Sequence, residues 1–427
     1  MKKLIINGGN KLTGKVQISG AKNAALPLMV ASILTPEKLT LSNVPHVSDI
    51  STMANLLSNL GVGFNMEGFD KDNGHLGKVV SLDGGTIDSF TAPYDLVSKM
   101  RASILVLGPL LARFGKAKIS LPGGCAIGTR PVDLHLKAMK QLGAKIVVKA
   151  GFVEGSVNGR LKGAKINFEK VSVGATENVL MAATLAEGVT ELHNAAKEPE
   201  IVDLAKCLNA MGAKISGAGT SVITIHGVEK LHAAKHKIVA DRIEAGTYAA
   251  AAAITGGDLI ISGINIDLFT GFGDKFEKAG VKIKALNDDE IHVTSNGNLA
   301  AVDIATEPYP GFPTDMQAQF MAMMCVAKGT SIISENIFEN RFMHVLELAR
   351  MGAEIEIQGN TAIVKGVEEL YGAEVMATDL RASVAMVLVA LVAKGETKIN
   401  RLYHLERGYE RLAEKLIACG ADIKILY

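Results

Sequence analysis

The sequence predicts an α/β protein of two similar domains, each assembled from three copies of one strand–helix unit around an interdomain cleft. Three observations carry this. A helix-end signature recurs six times, a strand-like run precedes each copy, and a small apolar helical stretch precedes each run.

The signature is an apolar residue, glycine, then a small or branched residue. It stands at Leu60-Gly61-Val62, Leu142-Gly143-Ala144, Met211-Gly212-Ala213, Ala279-Gly280-Val281, Met351-Gly352-Ala353 and Cys419-Gly420-Ala421. Glycine just past a helical apolar pattern supplies the left-handed residue that ends a helix. Most copies continue into alternating stretches such as Ala213-Lys214-Ile215, which read as strands. The preceding runs begin at Leu39, Lys118, Thr190, Asp258, Thr330 and Thr397, 22 to 25 residues before the glycines. Seventeen residues before each run stand Lys22, Arg101, Val173, Asp241, Pro313 and Leu380, each at or within a helical stretch. The unit therefore reads strand, helix, strand, helix, strand over about 70 residues, longer than the usual solenoid repeat. Three units per domain place the break near the polar stretch 229–237.

The chain's 427 residues, 48% of them hydrophobic, can fill two or three cores. Forty-five basic against 44 acidic residues leave a net charge of +1, which argues against nucleic-acid and membrane-surface partners. Four scattered cysteines form neither a disulfide framework nor a CxxC pair. The N-terminal apolar stretch is too short for a secretory signal, and runs such as 382–393 fall short of a membrane span. A soluble, cytoplasmic protein is expected.

Polar residues gather at the predicted helix starts: Lys22 and Asn23, Arg101, Ser172, Asp241 and Arg242, Asp315, and Asp379 with Arg381. Helix N-termini present free N–H groups and a positive dipole end, which favour anions. Ser172, Asp241, Asp315 and Asp379 also suit ordinary N-caps. The cations resist that reading, because cations prefer helix C-termini.

Leu121-Pro122-Gly123-Gly124-Cys125-Ala126-Ile127-Gly128-Thr129-Arg130-Pro131 can be neither helix nor central strand, and suits a mobile lid. Lys116, Lys118 and Arg130 would draw the Cys125 thiol toward neutrality, where it can act as a general acid. Cys207, Cys325 and Cys419 lie in apolar helical patterns and read as core. His135 suits either a ligand contact or a hydrogen-bonded structural histidine. Gly9 to Val16 has P-loop spacing without the final hydroxyl, Gly271-Phe272-Gly273 lacks a third glycine, and Met316 to Met324 reads as core packing. No histidine pair has metal-ligand spacing.

Six stretches together resemble one family: Gly20-Ala21-Lys22-Asn23-Ala24-Ala25; the loop 122–128 with Arg130-Pro131-Val132-Asp133-Leu134-His135; Phe312-Pro313-Thr314-Asp315-Met316-Gln317; Phe338-Glu339-Asn340-Arg341-Phe342-Met343-His344; Ala377-Thr378-Asp379-Leu380-Arg381; and Arg407-Gly408-Tyr409-Glu410-Arg411. They are similar to the UDP-N-acetylglucosamine 1-carboxyvinyltransferases over essentially the whole chain. The resemblance implies a two-domain inside-out α/β barrel, with residues 22–235 in one domain and 1–21 plus 236–427 in the other. It implies phosphoenolpyruvate and UDP-N-acetylglucosamine as substrates and a scheme needing no cofactor or metal.

Carried over residue by residue, Cys125 would protonate C3 of phosphoenolpyruvate and Asp315 would be the base at the sugar 3′-hydroxyl. Lys22, Arg130 and Arg407 would grip phosphoenolpyruvate, with Arg101, Arg341, Asp379 and Arg381 lining the cleft. Asn23 would lie near both substrates. Arg130, Pro131, Val132, Asp133 and Leu134, with Lys170, Ser172, Val173, Asp315 and Ile337, would contact the UDP-sugar. The sister transferase acting on shikimate 3-phosphate lacks the cysteine loop. A silent sugar-nucleotide-binding regulator would keep the Lys170 to Val173 segment while losing Cys125 or Asp315.

Overall fold

The computed structural model describes residues 2–68, 77–121 and 132–426. The described strands form six four-stranded sheets. In each, one strand pairs parallel with its neighbour and the other two pair antiparallel, as in Ile304–Ala305, Thr330–Ser334, Thr361–Lys365 and Glu354–Gln358. The expected unit thus needs a correction. In five of the six units a second strand follows the last helix and folds back as a hairpin, and in the sixth the fourth strand is supplied by Lys3–Asn7, so each sheet has four strands. In the second unit the hairpin of Lys145–Lys149 and Phe152–Ser156 turns through Ala150 and Gly151 at φ 49° and 78°. Two left-handed residues are what a tight hairpin turn requires.

All six signature glycines end helices. Gly61, Gly143, Gly212, Gly280, Gly352 and Gly420 have φ between 92° and 100°. A side chain in this conformation costs about 1–2 kcal/mol, so the recurring glycine is a backbone requirement. Apolar helices begin at or near the counted positions: Lys22–Ala31, Val173–Ala183, Arg242–Thr255, Gln317–Met324 and Ala382–Ala390. In the second unit a 3-10 turn, Arg101–Val106, leads into Leu107–Phe114, after a separate short helix at Tyr94–Val97.

The helices at the counted positions are buried almost throughout. Every residue of Ala382–Ala390 is buried, as are thirteen of the fourteen in Arg242–Thr255. A helix apolar all round must lie inside, and the sheets pack over it with one face inward, as Val222–His226 shows by alternating exposed and buried positions. This is the inside-out arrangement. Cys207, Cys325 and Cys419 are buried, and Met316, Met321, Met323 and Met324 pack fully in the core. Thr13–Gln17, the end of the P-loop lookalike, is a strand.

Two apolar cores result. One runs from Ala21 to Ile238; the other combines Leu4 to Ile18 with Ile243 to Ile423. Lys3–Asn7 inserts between Glu396–Asn400 and Asp422–Leu426, and Thr13–Gln17 pairs with Asp258–Ser262. In exchange Ala234–Lys237, which straddles position 235, pairs with Lys38–Val44. The chain therefore crosses between cores twice, and the crossings lie side by side. Ala21 N–H donates to the Val239 carbonyl at 2.7 Å, and Asp241 N–H to that of Ser19 at 2.9 Å.

Candidate active site

The six helix starts divide into two clusters, one for each core. Three of the four presumed caps are caps. The Ser172 hydroxyl accepts from Ala175 N–H, Asp241 from Ile243 and Glu244, and Asp379 from Arg381 and Ala382. Asp315 is the exception. Its carboxylate turns away from the helix, to Arg341 Nη2 at 2.9 Å, Arg381 Nη2 at 3.2 Å and Asn23 Nδ2 at 3.3 Å. Both guanidinium groups are buried. Gln319, one turn along, donates to the Asp315 carbonyl at 2.9 Å and to the Tyr409 hydroxyl at 3.2 Å, fixing the backbone beneath the carboxylate. Arg381 in turn lies 5.6 Å from the Tyr409 ring centre.

Asn23 belongs to the first core's leading helix and Asp315 to the second core, so this contact crosses the cleft. Asp49 makes another crossing, which the sequence reading missed. It takes Lys22 Nζ at 3.2 Å on one oxygen and Arg407 Nε at 2.9 Å on the other. Asp49 lies in the first turn of Ser48–Asn59, where a carboxylate is so ordinary that the bland explanation absorbs it. Lys22 is buried. Burial lowers its pKa, Arg381 and Arg407 act the same way, and Asp49 and Asp315 oppose them. Lys22, Asp49, Asp315, Arg381 and Arg407 thus share one electrostatic site. A third bridge, Arg242 to Glu200 at 3.1 Å, also joins the cores between buried partners. Arg242 stood out at a helix start, but nothing along the chain pointed to Glu200.

Ile337 is half-buried beside this group. Its N–H donates to Glu335 Oε1 at 2.9 Å, while Glu335 Oε2 takes the hydroxyl of Thr314, next to Asp315. Asp379 lies near the buried His344, whose pKa burial pushes down to about 4.

The first core's cluster gathers Arg101, Val132, Asp133, Leu134, Ser172 and Val173 around His135. Val132 and Leu134 are buried, and Asp133 opens the helix Asp133–Gln141. The His135 ring lies against Gly174, where an added Cβ would sit 3.3 Å from Cε1. Burial, then Arg101, pushes the His135 pKa down to about 4 against the opposing Asp133. The ring's Nδ1 lies 3.0 Å from the Asn178 amide, so the structural histidine is the reading the contacts favour. Lys170 is exposed and takes no part in these contacts among the described residues. Cys125, Arg130 and Pro131 lie outside the described residues. Among the described residues no group of three His, Cys, Asp or Glu side chains could hold a metal ion, and no helix is long and apolar enough to cross a membrane.

Helices buried under six four-stranded sheets are an architecture that this chain shares with a solved enolpyruvyl transferase. The family model for EPSP synthase (3-phosphoshikimate 1-carboxyvinyltransferase) matches residues 6–416, and the chain belongs to this family. Within it, the chain is 59% identical over 426 residues to the UDP-N-acetylglucosamine 1-carboxyvinyltransferase of Paramagnetospirillum magneticum, covering 100% of this chain and 99% of that one. It is 57% identical over 426 residues to the enzyme of the same name from Xanthobacter autotrophicus, covering 99% of each. Among solved structures, the enolpyruvyl transferase NikO from Streptomyces tendae superposes with a TM-score of 0.88 at 26% identity, over 100% of this chain and 99% of that one. EPSP synthase from Acinetobacter baumannii, at 19% identity and a TM-score of 0.74 over the whole of both chains, shares the fold.

Proposed function

We propose that the chain transfers the enolpyruvyl group of phosphoenolpyruvate to the 3′-hydroxyl of UDP-N-acetylglucosamine and releases phosphate, as a cytoplasmic enzyme of peptidoglycan precursor synthesis. The observation that carries this reading is Asp315: a carboxylate at a helix start that declines to cap, facing the cleft between two buried guanidinium groups and Asn23. Full-length identity to enzymes of that name supports the acceptor.

In this reading Asp315 takes the proton of the 3′-hydroxyl as its oxygen attacks C2, and Cys125 delivers a proton to C3. The resulting tetrahedral adduct then loses phosphate and a C3 proton, restoring the enol ether. Lys22, Arg130 and Arg407 hold the carboxylate and phosphate of phosphoenolpyruvate, groups that cations bind through charge-assisted hydrogen bonds. Arg341 Nε and Arg381 Nη1, buried and without partners among the described residues, leave donors for an anion. Arg101 and the segments 130–134 and 170–173, with Ile337, receive the nucleotide sugar. A positioned acid and base contribute about 10²–10⁴-fold each, and a closed cleft the remainder. The two cores act as two domains, so that closure brings Asn23 to Asp315 and Asp49 to Arg407.

Phosphate release from phosphoenolpyruvate tests the assignment, with UDP-N-acetylglucosamine and shikimate 3-phosphate as alternative acceptors. The proposal expects turnover with the nucleotide sugar alone. Turnover with shikimate 3-phosphate, or with neither, overturns it.

A further inference from the structure

We propose that Asn178 is a positioning residue that fixes the three segments of the nucleotide-sugar subsite together, and so governs acceptor affinity without touching the acceptor. The inference rests on the function proposed above.

Asn178 is fully buried in the helix Val173–Ala183. A buried amide carries two donors and an acceptor, each costly if unmet. Its Oδ1 accepts the Gly108 N–H at 2.8 Å, and its Nδ2 donates to the Ile104 carbonyl at 3.1 Å. The same Nδ2 lies 3.0 Å from His135 Nδ1. With both amide hydrogens committed as donors, that ring nitrogen accepts and the imidazole carries its proton on Nε2.

These bonds fall where the backbone changes pitch. In an uninterrupted α-helix the Gly108 N–H would donate to Ile104. Here Leu107 N–H reaches the Ile104 carbonyl in 3-10 fashion, and the Asn178 amide bridges Ile104 and Gly108. A side chain inserted into the hydrogen-bond ladder redirects a helix. The redirected segment is Arg101–Val106, which begins with the subsite arginine. The approach depends on glycine: a Cβ at position 108 would stand 2.3 Å from Asn178 Oδ1 and 2.6 Å from its carbonyl oxygen.

One amide therefore joins three elements whose starts carry the proposed acceptor contacts. Arg101 stands three residues before Ile104, Val132 to Leu134 immediately precede His135, and Ser172 and Val173 open the helix bearing Asn178. The phosphoenolpyruvate cations Lys22 and Arg407 are bridged separately, through Asp49. The two substrates' sites are thus supported by different networks, and a defect at Asn178 falls on one of them.

The test uses the full chain with Asn178→Leu, which removes the amide at similar size, and Asn178→Asp, which keeps an acceptor for Gly108 and loses both donors. For Asn178→Leu the KM for UDP-N-acetylglucosamine and its calorimetric Kd rise about 10- to 100-fold, while kcat and the KM for phosphoenolpyruvate stay within about threefold. Asn178→Asp falls between, and Gly108→Ala, which crowds the amide from the other side, repeats the pattern if Asn178→Leu does not fold. Unchanged nucleotide-sugar affinity overturns the proposal, as does a parallel rise in both KM values. If the wild type releases no phosphate with this acceptor, the functional reading fails. Amide hydrogen exchange then decides the positioning claim by itself: faster exchange across 101–108 and 132–136 in Asn178→Leu supports it, and unchanged exchange refutes it.

Discussion

Replacing Asp49 by asparagine preserves the side chain's shape and one acceptor while deleting the charge that Lys22 and Arg407 share across the cleft. Asp49 and Lys22 are both buried at 3.2 Å, and removing one partner of a buried pair costs about 3–5 kcal/mol. The Arg407 contact adds about 1 kcal/mol or less, because that side chain is 36% exposed. Lys22 escapes part of the penalty by losing its proton. Burial already lowers its pKa, and Asp49 is the largest influence holding it up. Without Asp49 the pKa falls further.

Two results follow for the variant. The kcat/KM for phosphoenolpyruvate drops about 10²–10³-fold, and the alkaline limb of its pH profile moves to lower pH, since a neutral lysine cannot hold an anion. The linkage has a definite sign. Lys22 in the folded chain titrates below its ordinary value of 10.5, so between the two pKa values the unfolded chain binds the extra proton. The contribution of Lys22 to stability is therefore present at high pH and lost as pH falls through the folded value. Asp49→Asn should accordingly lose more stability near neutrality than in alkaline buffer. Steady-state phosphate release across the pH range, beside thermal unfolding at the same pH values, measures both effects. An unchanged kcat/KM with an unmoved alkaline limb would show that Asp49 does not hold Lys22 charged for phosphoenolpyruvate.

Asp315→Asn should lower kcat at least about 10²-fold while circular dichroism stays native, because the amide keeps the side chain's shape and one oxygen for the guanidinium groups of Arg341 and Arg381, which bond opposite oxygens of the carboxylate. Wild-type turnover by this variant would remove Asp315 from the role of base. Cys125→Ser should sharply reduce phosphate release. An epoxide phosphonate of the fosfomycin type should add once per chain, at Cys125. Burial pushes the thiols of Cys207 and Cys325 up to about 12 and that of Cys419 up to about 11, so they supply almost no thiolate to compete. Intact mass showing two adducts, or one that persists in Cys125→Ser, would contradict this.

The fold was largely legible because its repeats are enforced by backbone geometry. Six left-handed helix ends demand glycine, and glycine is visible in one sequence. The all-round burial of helices such as Ala382–Ala390 was likewise visible in their composition. The second hairpin strand of the first five units escaped because turns such as Ala150-Gly151 carry a weak signature. The pairing of Ala234–Lys237 with Lys38–Val44 escaped for another reason: it joins segments nearly two hundred residues apart, and no local pattern encodes that. The candidate site divided in the same way. Residues whose chemistry is odd for their position, such as Lys22 and Arg381 at helix starts, announced themselves. Asp49, Glu200 and Asn178 did not, because a first-turn carboxylate and a mid-helix amide are unremarkable until their partners are known.

The claim on which the rest depends is that the two halves present an acceptor hydroxyl to Asp315. A crystal structure of the full chain with UDP-N-acetylglucosamine tests it most directly. The sugar 3′-oxygen should lie within hydrogen-bond distance of the Asp315 carboxylate, with the uridine against the segments that begin at Arg101, Val132 and Ser172. A nucleotide sugar bound elsewhere, or turned so that its 3′-oxygen faces away from Asp315, would contradict it.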